Sequence, residues 1–378
     1  MRASVMPPVP DAPVVEFSGS DGAEQKRWQR LKILEIGDRS LFADNFPENT
    51  LQLWTGARKI AAGPHRRNFG PGESIMLLRA LRDARFDLIV CYPPLDDPLS
   101  LRSLFRLLGR AGPRFPSALF RGCAVKFLRA GTATPLVVLD TEDSAPVERH
   151  NFFLLPLCRI YYKRELPPDH WKVFVKTAHP HIPTARVRRS RRLRDAVAKM
   201  RPLSLGISEE KVRLTQGLDP EKTTDIFFAG ALSNSHVRSQ GLRQLERLRE
   251  QGCRVDIAGT DLPQAEYFAR CARAWLTWSP EGYGWDCFRH YEAGACGSVP
   301  VISQPTIFRH EPLREGVHCF YYDTEGDGLE TVVRKALSDK EQLATMARAA
   351  REHVLRHHTQ RRLCEYVLDT SLGDVGAQ

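Results

Sequence analysis

The sequence lacks the features that mark membrane-spanning, disulfide-stapled and zinc-binding proteins. Its longest apolar run, 151–162, falls short of the ~20 residues that a membrane-spanning helix needs and is interrupted by Pro156 and Arg159. Its nine cysteines include no Cys-x-x-Cys pair and no clustered spacing, a pattern that argues against a disulfide framework or a zinc site. We therefore expect a reduced, cytoplasmic protein without a membrane-spanning helix.

A P-loop and a secretory signal are missing as well. The segment 63–72 contains glycines and arginines but does not end in the Gly-Lys-Ser/Thr of a P-loop. The first residues contain four prolines between positions 7 and 13 and no apolar stretch, whereas a secretory signal requires one. We expect residues 1–27 to be a disordered lead-in.

What the sequence does have is an excess of basic residues. Lys and Arg number 55 against 45 Asp and Glu, which gives a net charge of +10. The apolar share of 42% is that of an ordinary globular protein, so the charge does not reflect wholesale disorder. Such a charge favours an anionic partner, and by itself does not choose among a nucleotide diphosphate, a lipid headgroup and a nucleic acid.

The strongest concentration of charge is the stretch from Arg186 to Arg201. Eight basic residues face a single acid there, Asp195. Two interpretations stay open: the stretch is a solvated helix near a domain junction, or it is a surface that binds an anionic lipid or acceptor.

Two successive parts of the chain alternate predicted strands with predicted helices. The first pattern begins with the short apolar run 32–37, and the pattern restarts at Thr224. A length of 378 residues also favours two domains. We therefore expect an α/β fold of two tandem Rossmann-like, doubly wound domains that face a cleft. The predicted domains span 28–205 and 206–358, and residues 359–378 are predicted to be a helical tail that packs back on the first domain.

The segment 276–302 is the most informative part of the sequence. Its pattern predicts a strand, a glycine-rich turn, a helix and a second strand. Gly282 and Gly284, on either side of Tyr283, allow the backbone to approach a ligand closely. The helix that follows presents free N–H groups and the positive end of its dipole to a phosphate. This is the local geometry of a nucleotide-binding site.

Three residues of this segment, Asp286, Arg289 and Glu292, are spaced three apart and are predicted to share one helix face. On such a face an arginine can pair with a phosphate, and a carboxylate can accept hydrogen bonds from ribose hydroxyls. The alternative is a surface ladder of salt bridges after an ordinary tight turn.

A second phosphate contact is predicted at the start of the second domain. The strand that ends at Gly230 leads through a short polar loop to Arg238. This places a cation where the diphosphate of a nucleotide lies in a doubly wound fold. Alternatively, Arg238 is a solvent-facing residue in the first turn of a helix.

The segment resembles the donor-binding part of glycosyltransferases with the two-domain GT-B fold, in particular the exostosin-like and spore-maturation-type enzymes. That family has a Gly-aromatic-Gly turn, an Arg-x-x-Glu on a helix and a Pro-Val-Ile strand. In this sequence they are 282–284, 289–292 and 300–302. The order of elements matches over about 222–360, and in the first half only the general layout and the segment 161–167 are similar. The resemblance implies that Glu292 binds the donor ribose, while Arg289 and the turn lie near the diphosphate.

The sequence departs from the family at one position. Many retaining members carry a Glu eight residues before the ribose-binding Glu, in contact with the transferred sugar, and here that position is Gly284. Glu281 sits eleven residues before Glu292 instead, and we include it among the donor-binding candidates. Whether the transfer retains or inverts the anomeric configuration therefore stays open.

An inverting enzyme needs a general base near the acceptor hydroxyl. Ligands bind at the C-terminal ends of the strands in open α/β sheets, and the acids Asp140, Glu142 and Asp143 follow such a strand. Three carboxylates in four residues can shift one another's pKa toward a useful range. The alternative is a polar loop whose acids cap a helix.

Together these patterns predict a glycosyltransferase that moves a sugar from a nucleotide-diphosphate-sugar to a glycan or lipid-linked acceptor, as in the synthesis of bacterial surface polysaccharides. No Asp-x-Asp follows a predicted strand, so we expect no metal and no cofactor beyond the nucleotide-sugar. Two alternatives stay open: a catalytically inactive GT-B-like protein that binds a membrane or nucleic acid, and a sugar-nucleotide epimerase. The basic stretch favours a cytoplasmic enzyme at the inner face of a membrane, and a nucleic acid is not the expected partner.

Overall fold

The computed structural model describes residues 28, 30–56, 58–111, 115–175, 189–231 and 235–373. The predicted lead-in, the first three residues of the basic stretch and the last five of the predicted tail lie outside these residues. The chain divides into the units Met1–Leu31 and Lys32–Gln378. The fold described below is that of the second unit.

Seven parallel strands form the sheet of the first half, as far as the described residues show. They are β1 (Ile33–Gly37), β2 (Thr50–Trp54), β3 (Arg66–Asn68), β4 (Leu88–Cys91), β5 (Leu136–Asp140), β6 (Ile160–Lys163) and β7 (Met200–Pro202). Their order is β3-β2-β1-β4-β5-β6-β7, so the chain starts inside the sheet and moves outward first one way and then the other. The reversal creates the switch point beside which open α/β sheets bind ligands.

Four of the five inner strands of this sheet are buried along their whole length. Every residue of β1, β4, β5 and β6 is buried, as expected for parallel strands that are covered on both faces. The sequence pattern did not predict β3, β6 or β7. The edge strands β3 and β7 have three residues each and little apolar pattern, and β6 ends in the buried Lys163, a residue type that is depleted in strands.

Helices connect most of these strands and cover the sheet. They are α1 (Leu41–Asn45), α2 (Pro71–Arg82), α3 (Leu101–Ala111), α4 (Phe115–Gly122), α5 (Leu154–Leu157) and α6 (Arg191–Ala198). Helix α2 begins at Pro71, a position at which the missing N–H of proline costs no helical hydrogen bond. Helix α3 differs from the others because Leu101 and Phe105 are largely exposed. Throughout the described residues, no helix combines the length and the apolar character that crossing a bilayer requires.

Five parallel strands form a second sheet in the described residues of the second half. They are β8 (Thr224–Ala229), β9 (Val255–Ala258), β10 (Ala274–Ser279), β11 (Val299–Ser303) and β12 (Phe320–Tyr322). The order β12-β11-β10-β8-β9 again starts inside the sheet and reverses direction. The two parallel sheets confirm the predicted α/β class.

The helices of the second half show why the sequence folds as it does locally. They are α7 (Glu209–Thr215), α8 (His236–Glu250), α9 (Gln264–Ala272), α10 (Phe288–Ala295), α11 (Gly328–Leu337), α12 (Lys340–His357) and α13 (Gln360–Leu372). Ser235 caps α8 because its hydroxyl accepts the N–H of Arg238. Gly241 lets α8 lie close to the sheet, since a Cβ there would lie 2.1 Å from the Trp278 ring.

The chain crosses between the two halves at Ile207 and again at His358. These crossings are joined because the Ile207 N–H donates to the His358 carbonyl over 2.8 Å. Helix α13 then lies against the first half, where the Tyr162 hydroxyl is 3.0 Å from the Ser371 hydroxyl. The predicted domain boundaries stay predictions, and the described part of the predicted tail contacts β6.

Candidate functional site

The glycine-rich turn of the sequence lies at the C-terminal end of β10. The strand ends at Ser279 and α10 begins at Phe288, so residues 280–287 form the connecting segment, called the 280–287 loop below. Within it the Gly282 N–H donates to the Gly284 carbonyl over 3.0 Å. Tyr283 stands between them and is 60% exposed. The turn therefore presents backbone and one aromatic ring to the surroundings.

A buried histidine holds the two ends of this loop. The Nδ1 of His290 is 2.7 Å from the Ser279 hydroxyl, and its Nε2 is 3.0 Å from the Trp285 carbonyl. Burial lowers the pKa of His290 to about 3, so the ring is neutral. Since a carbonyl only accepts, Nε2 carries the proton and Nδ1 accepts from the serine.

Arg238 lies in the first turn of α8 and is buried. Its Nε donates to the Glu281 carbonyl over 3.2 Å and its Nη1 to the Ala231 carbonyl over 3.3 Å. Gly282 leaves room for this side chain, since a Cβ there would lie 3.1 Å from Nη2 of Arg238. The arginine therefore joins the end of β8 to the 280–287 loop.

Arg289 lies in the first turn of α10 and reaches the end of the neighbouring strand. Its Nε donates to the Ala229 carbonyl over 3.1 Å, and its guanidinium carbon lies 5.1 Å from the centre of the Phe228 ring. A Cβ on Gly230 would lie 3.0 Å from its Nη2, and this glycine has φ of 154°. Gly230 therefore allows the guanidinium of Arg289 to approach the backbone closely.

The two arginines form a cationic pair that no acid balances in the part of the chain that the structure describes. Burial and, next, the positive charge of Arg289 lower the pKa of Arg238. Nη1 of Arg289 is buried without a hydrogen-bond partner in the described part of the chain. Among the described residues, the hydrogen bonds of both guanidinium groups go to backbone carbonyls and none goes to a carboxylate. An unpaired buried cation is costly, so this pair is suited to an anionic ligand.

Glu292 lies one turn further along α10 and is held from two sides. Its Oε1 is 2.5 Å from Nζ of Lys211, on α7, and its Oε2 accepts the Tyr267 hydroxyl, on α9, over 3.0 Å. Lys211 also lies over the ring of Phe288, with Nζ 5.0 Å from the ring centre. Each carboxylate oxygen can still accept a further hydrogen bond, so a ligand hydroxyl can join these partners.

Asp286 differs from its prediction. It precedes the N-cap Cys287, so it is not on α10 and shares no helix face with Arg289 and Glu292. Its carboxylate accepts the Leu205 N–H over 2.8 Å and the Tyr291 hydroxyl over 2.6 Å, and burial raises its pKa. The structure thus uses this carboxylate to tie the loop to the chain crossing near residue 205.

Glu281, also a donor-binding candidate, lies on the opposite side of the loop. Its carboxylate oxygen is 3.5 Å from the Ser303 hydroxyl at the end of β11. Burial raises its pKa. A carboxyl at this place adjoins the strand ends without pairing with either arginine, and its donor-binding role stays a prediction.

Two residues from the first half contact the loop, although the sequence pattern assigned neither of them a role. Oε2 of Glu165 accepts the Trp285 N–H over 2.9 Å, and its Oε1 accepts the Asp286 N–H over 3.0 Å. The guanidinium of Arg164 donates to the Asp286 carbonyl and to the Asp143 carboxylate. Both belong to the segment 161–167, whose resemblance to related enzymes was the only signal in the sequence.

The position of Glu165 explains the glycine at 284. A Cβ on Gly284 would lie 2.5 Å from Oε1 and 2.7 Å from Cδ of Glu165. The glycine thus leaves space for a carboxylate from the other half of the molecule. Where the resemblance leads one to expect a glutamate side chain at 284, this structure has the glutamate of residue 165 beside it.

The predicted acids of the first half lie after β5, as expected, but differ in their surroundings. Asp140 is buried, with one oxygen 2.9 Å from Nζ of Lys163 and the other accepting the Tyr161 hydroxyl over 2.8 Å. Asp143 is half exposed and pairs with Arg164. Both carboxylates therefore already have cationic partners.

Glu142 has the weakest ion pairing of the three acids. Its only ion pair in the described residues is a 3.9 Å contact with Arg39. Burial raises its pKa, with a further rise from the negative charge of Asp140, so the carboxylate is more basic than in water. Among the predicted bases, Glu142 has the chemistry best suited to accepting a proton.

The same region offers no evident metal ligands. In the part of the chain that the structure describes, no three histidine, cysteine or acidic side chains are grouped to hold an ion. The strand ends of the second half offer guanidinium groups, backbone N–H groups and the carboxylate of Glu292. This donor set fits a phosphate and a sugar hydroxyl better than a cation.

Comparison with known proteins agrees with this geometry. Residues 238–369 match the model of a protein family described as "Glycosyl transferase-like", and the match includes Arg238, Arg289 and Glu292. No curated protein matches the sequence.

Two solved structures share the fold. A glycosyltransferase from Rickettsia africae is 10% identical, with 92% of this chain and 99% of that chain covered and a TM-score of 0.51. An alpha-glucosyltransferase solved with UDP-glucose and DNA containing an abasic site is 12% identical, with 90% and 99% covered and a TM-score of 0.53. The predicted resemblance is confirmed: the chain has the GT-B fold of glycosyltransferases, and its residues 238–369 match the glycosyl transferase-like family.

Proposed function

We propose that this chain transfers a sugar from a nucleotide-diphosphate-sugar to a glycan or lipid-linked acceptor. The observation that carries the proposal is the pair Arg238 and Arg289. Arg238 is buried, and Arg289 is partly buried with its Nη1 shielded from water. Neither guanidinium has a carboxylate partner in the described residues, and both lie beside the glycine-rich loop at the strand ends. A diphosphate supplies the negative charge that both lack.

The same pair accounts for the chemistry of the leaving group. Negative charge develops on the diphosphate as the bond to the sugar breaks, and fixed donors aimed at that charge lower the barrier. Arg238, Arg289 and the first-turn N–H groups of α10 are such donors. Because guanidinium groups meet the charge, the proposed reaction needs no divalent cation.

Glu292 is proposed to bind the ribose. It lies three residues, about one helical turn, after Arg289 on α10, so a ribose attached to a diphosphate at Arg289 would be within its reach. Lys211 and Tyr267 hold the carboxylate in a fixed orientation, so ribose hydroxyls meet an acceptor that is already positioned.

Glu142 is the proposed general base for an inverting transfer. It follows β5, while the donor loop follows β10, and the link from Asp143 through Arg164 to the Asp286 carbonyl joins these two strand ends. An acceptor that lies between the sheets would therefore meet both the donor and this carboxylate. The proton of its hydroxyl passes to Glu142 as the oxygen attacks.

Nucleotide binding tests the proposal without knowledge of the acceptor. Thermal stability would be measured with nucleoside diphosphates and nucleotide-sugars, beginning with UDP and UDP-glucose, for the wild type and for Glu292→Ala. A ligand that binds only the folded state raises its stability. We expect one nucleotide family to stabilise the wild type and to lose most of its effect in the variant.

Two results would redirect the assignment. If no nucleotide stabilises the wild type, the donor site is wrong and a binding protein without catalysis becomes the better description. If a nucleotide-sugar is converted without any acceptor into an isomer that still carries its nucleotide, the chain is an epimerase.

We also propose that the enzyme works in the cytoplasm at a membrane surface, on acceptors such as those of bacterial surface polysaccharides. Helix α3 supports this because apolar side chains on it and just before it are more than half exposed. They are Leu95, Leu99, Leu101, Phe105 and Leu108. The helix sequence also has an arginine at every fourth residue from 102 to 110. Exposed apolar residues on a helix with a basic sequence are typical of helices that lie in a membrane interface.

Sedimentation with vesicles tests this location. We expect anionic vesicles to sediment the wild type and not a Leu101→Ser/Phe105→Ser variant, while Ile75→Ser/Leu78→Ser on α2 serves as a matched exposed control. The described part of the basic stretch, α6 and its flanks, offers a second cationic surface. Equal binding of all three proteins would move the contact from α3 to that surface.

A further inference from the structure

The most unusual contact in the molecule is a carboxylate from one half that holds the backbone of the other. Glu165 and the residues it binds are 120 and 121 positions apart in the chain. The two N–H groups that it accepts, of Trp285 and Asp286, come directly before the N-cap of α10. In the described residues these two N–H groups donate to the two oxygens of Glu165, so Glu165 holds this end of the loop.

Residues in both halves of the molecule support this contact. Gly284 has no Cβ, and a Cβ there would collide with the glutamate at 2.5 Å. Arg164, next to Glu165, binds the carbonyl of Asp286, so the same peptide segment is held by its N–H and by its C=O. Both side chains from the first half are buried.

We propose that Glu165 is a positioning residue, whose ionised carboxylate fixes the 280–287 loop against the first half and thereby sets where Arg289 meets the donor diphosphate. This inference rests on the proposed donor site. Glu165 itself touches no reacting atom. Its role is to hold the cationic pair and the acids after β5 at a fixed separation.

Ionisation matters because the carboxylate accepts strongly at both oxygens. Once the group is protonated, one oxygen becomes an O–H group, which is a donor and a weaker acceptor, so one of the two bonds is weakened. Burial, which outweighs the attraction of Arg164, raises the pKa of Glu165 to about 7. The negative charge of Asp286 raises it further, while Asp143 and Arg309 act on the neighbours Arg164 and Asp286.

The pH dependence of donor binding is the decisive measurement. If only the ionised form holds the loop, the competent fraction rises from roughly one tenth at pH 6 to roughly nine tenths at pH 8, and affinity rises about tenfold. UDP-glucose is the probe, by calorimetry, because its diphosphate has no ionisation in this range. In Glu165→Gln we expect affinity at or below the low-pH value of the wild type, without this pH dependence.

Glu35 offers a matched control for the loss of a buried carboxylate. It also accepts two backbone N–H groups, those of Phe42 and Ala43, and burial also raises its pKa to about 7. It lies in β1, within the first half. Glu35→Gln should therefore keep the pH dependence of donor affinity, even if it lowers thermal stability as much as Glu165→Gln does.

Gly284 gives an independent route to the same result. Gly284→Ala should displace the carboxylate and weaken UDP-glucose binding about tenfold, as full loss of the held state would. In a Glu165→Ala background the added methyl meets no carboxylate and only the Asp143 carbonyl oxygen, at 3.1 Å, so its further effect should be small. Additive losses in the double variant would overturn the proposal, as would wild-type affinity and pH dependence in Glu165→Gln.

Hydrogen exchange separates failure of this inference from failure of the donor site. The amides of Trp285 and Asp286 should be protected in the ligand-free wild type at pH 8 and exchange faster in Glu165→Gln, but not in Glu35→Gln. If the wild type binds no nucleotide-sugar but this difference is present, the donor site fails and the positioning contact stands. Equal exchange in all three proteins would refute the contact itself.

Discussion

The two sheets of this protein treat the charges at their strand ends in opposite ways. In the first half, Asp140 has Lys163 and Asp143 has Arg164 as partner. In the second half, the guanidinium groups of Arg238 and Arg289 have only carbonyl oxygens as hydrogen-bond partners in the described residues. The first half thus balances its charges internally, and the second leaves positive charge to be balanced by something else.

This difference indicates that the anion-binding site lies in the second half. Removing an ion from water costs several kcal/mol, which a nearby opposite charge offsets. Lys163 and Asp140 offset each other and need no ligand. Arg238 and Arg289 repel each other, and a shared diphosphate reverses this repulsion.

The largest effect should come from Glu142, whose ion pair in the described residues is only the 3.9 Å contact with Arg39. Glu142→Gln should lower the rate of an inverting transfer by about 10²- to 10⁴-fold, the usual contribution of a general base, with donor affinity unchanged. Glu148→Gln is the matched control, because burial raises its pKa in the same way and it lies six positions along the chain. A rate unchanged by Glu142→Gln would remove this residue from the reaction, and a loss in Glu148→Gln would move the role there.

Removing one member of the Lys163–Asp140 pair should mainly lower the stability of the fold. Lys163→Met leaves Asp140 buried without a cation, with only the Tyr161 hydroxyl and the Glu142 N–H as partners in the described residues, and we expect the free energy of unfolding to fall by about 3–5 kcal/mol. Urea denaturation measures this. Adding Asp140→Leu should restore much of the stability, since replacing a whole buried pair by apolar residues is often neutral. A fall below about 1 kcal/mol in Lys163→Met would show that the pair is not buried in solution.

The sequence predicted the second half better than the first because its signals are local. The strand, turn and helix around the 280–287 loop follow from glycines and apolar residues that are neighbours in the chain. The general α/β class was predicted for the same reason. One local prediction still failed: the helix starts two residues after Asp286, which turns that carboxylate toward Leu205.

The contacts that the sequence did not predict join residues far apart in the chain. Lys163 appears as an ordinary basic residue after two tyrosines, and only the pairing of β5 with β6 places it beside Asp140. Glu165 meets the N–H of Trp285 across 120 positions. Patterns along the sequence do not predict contacts between residues of different strands or halves, so these charge pairs could be identified only from the structure.

A third prediction concerns the effect of a buried carboxylate of the first half on the stability of the fold. Glu35 has its pKa raised by burial from 4.5 to about 7. The unfolded chain therefore loses its proton at lower pH than the folded chain, and stability falls as pH rises between these values. This carboxyl should contribute a fall of roughly 3 kcal/mol from pH 4 to pH 8.

Comparison of the wild type with Glu35→Gln isolates that contribution. Unfolding in urea at pH 4 and pH 8 should show a difference between the two pH values that is smaller in the variant by that amount. Glu165, which titrates in the same range, stays in both proteins and cancels. Equal differences in wild type and variant would mean that Glu35 has an ordinary pKa.

The smallest expected effect concerns the arginines of the second half that have no acidic partner in the described residues. Arg289→Ala should weaken donor binding by about 10- to 100-fold, since hydrogen bonds to charged groups contribute about 1.5–3 kcal/mol. Arg254→Ala is the control, because Arg254 pairs with Asp225 over 3.0 Å at the opposite end of the sheet and should not affect the donor. In the absence of ligand, Arg289→Ala should leave thermal stability unchanged or raise it, since it removes repulsion from Arg238. A marked loss of stability without ligand would show that Arg289 is a structural residue, and the contrast between the two sheets would not hold.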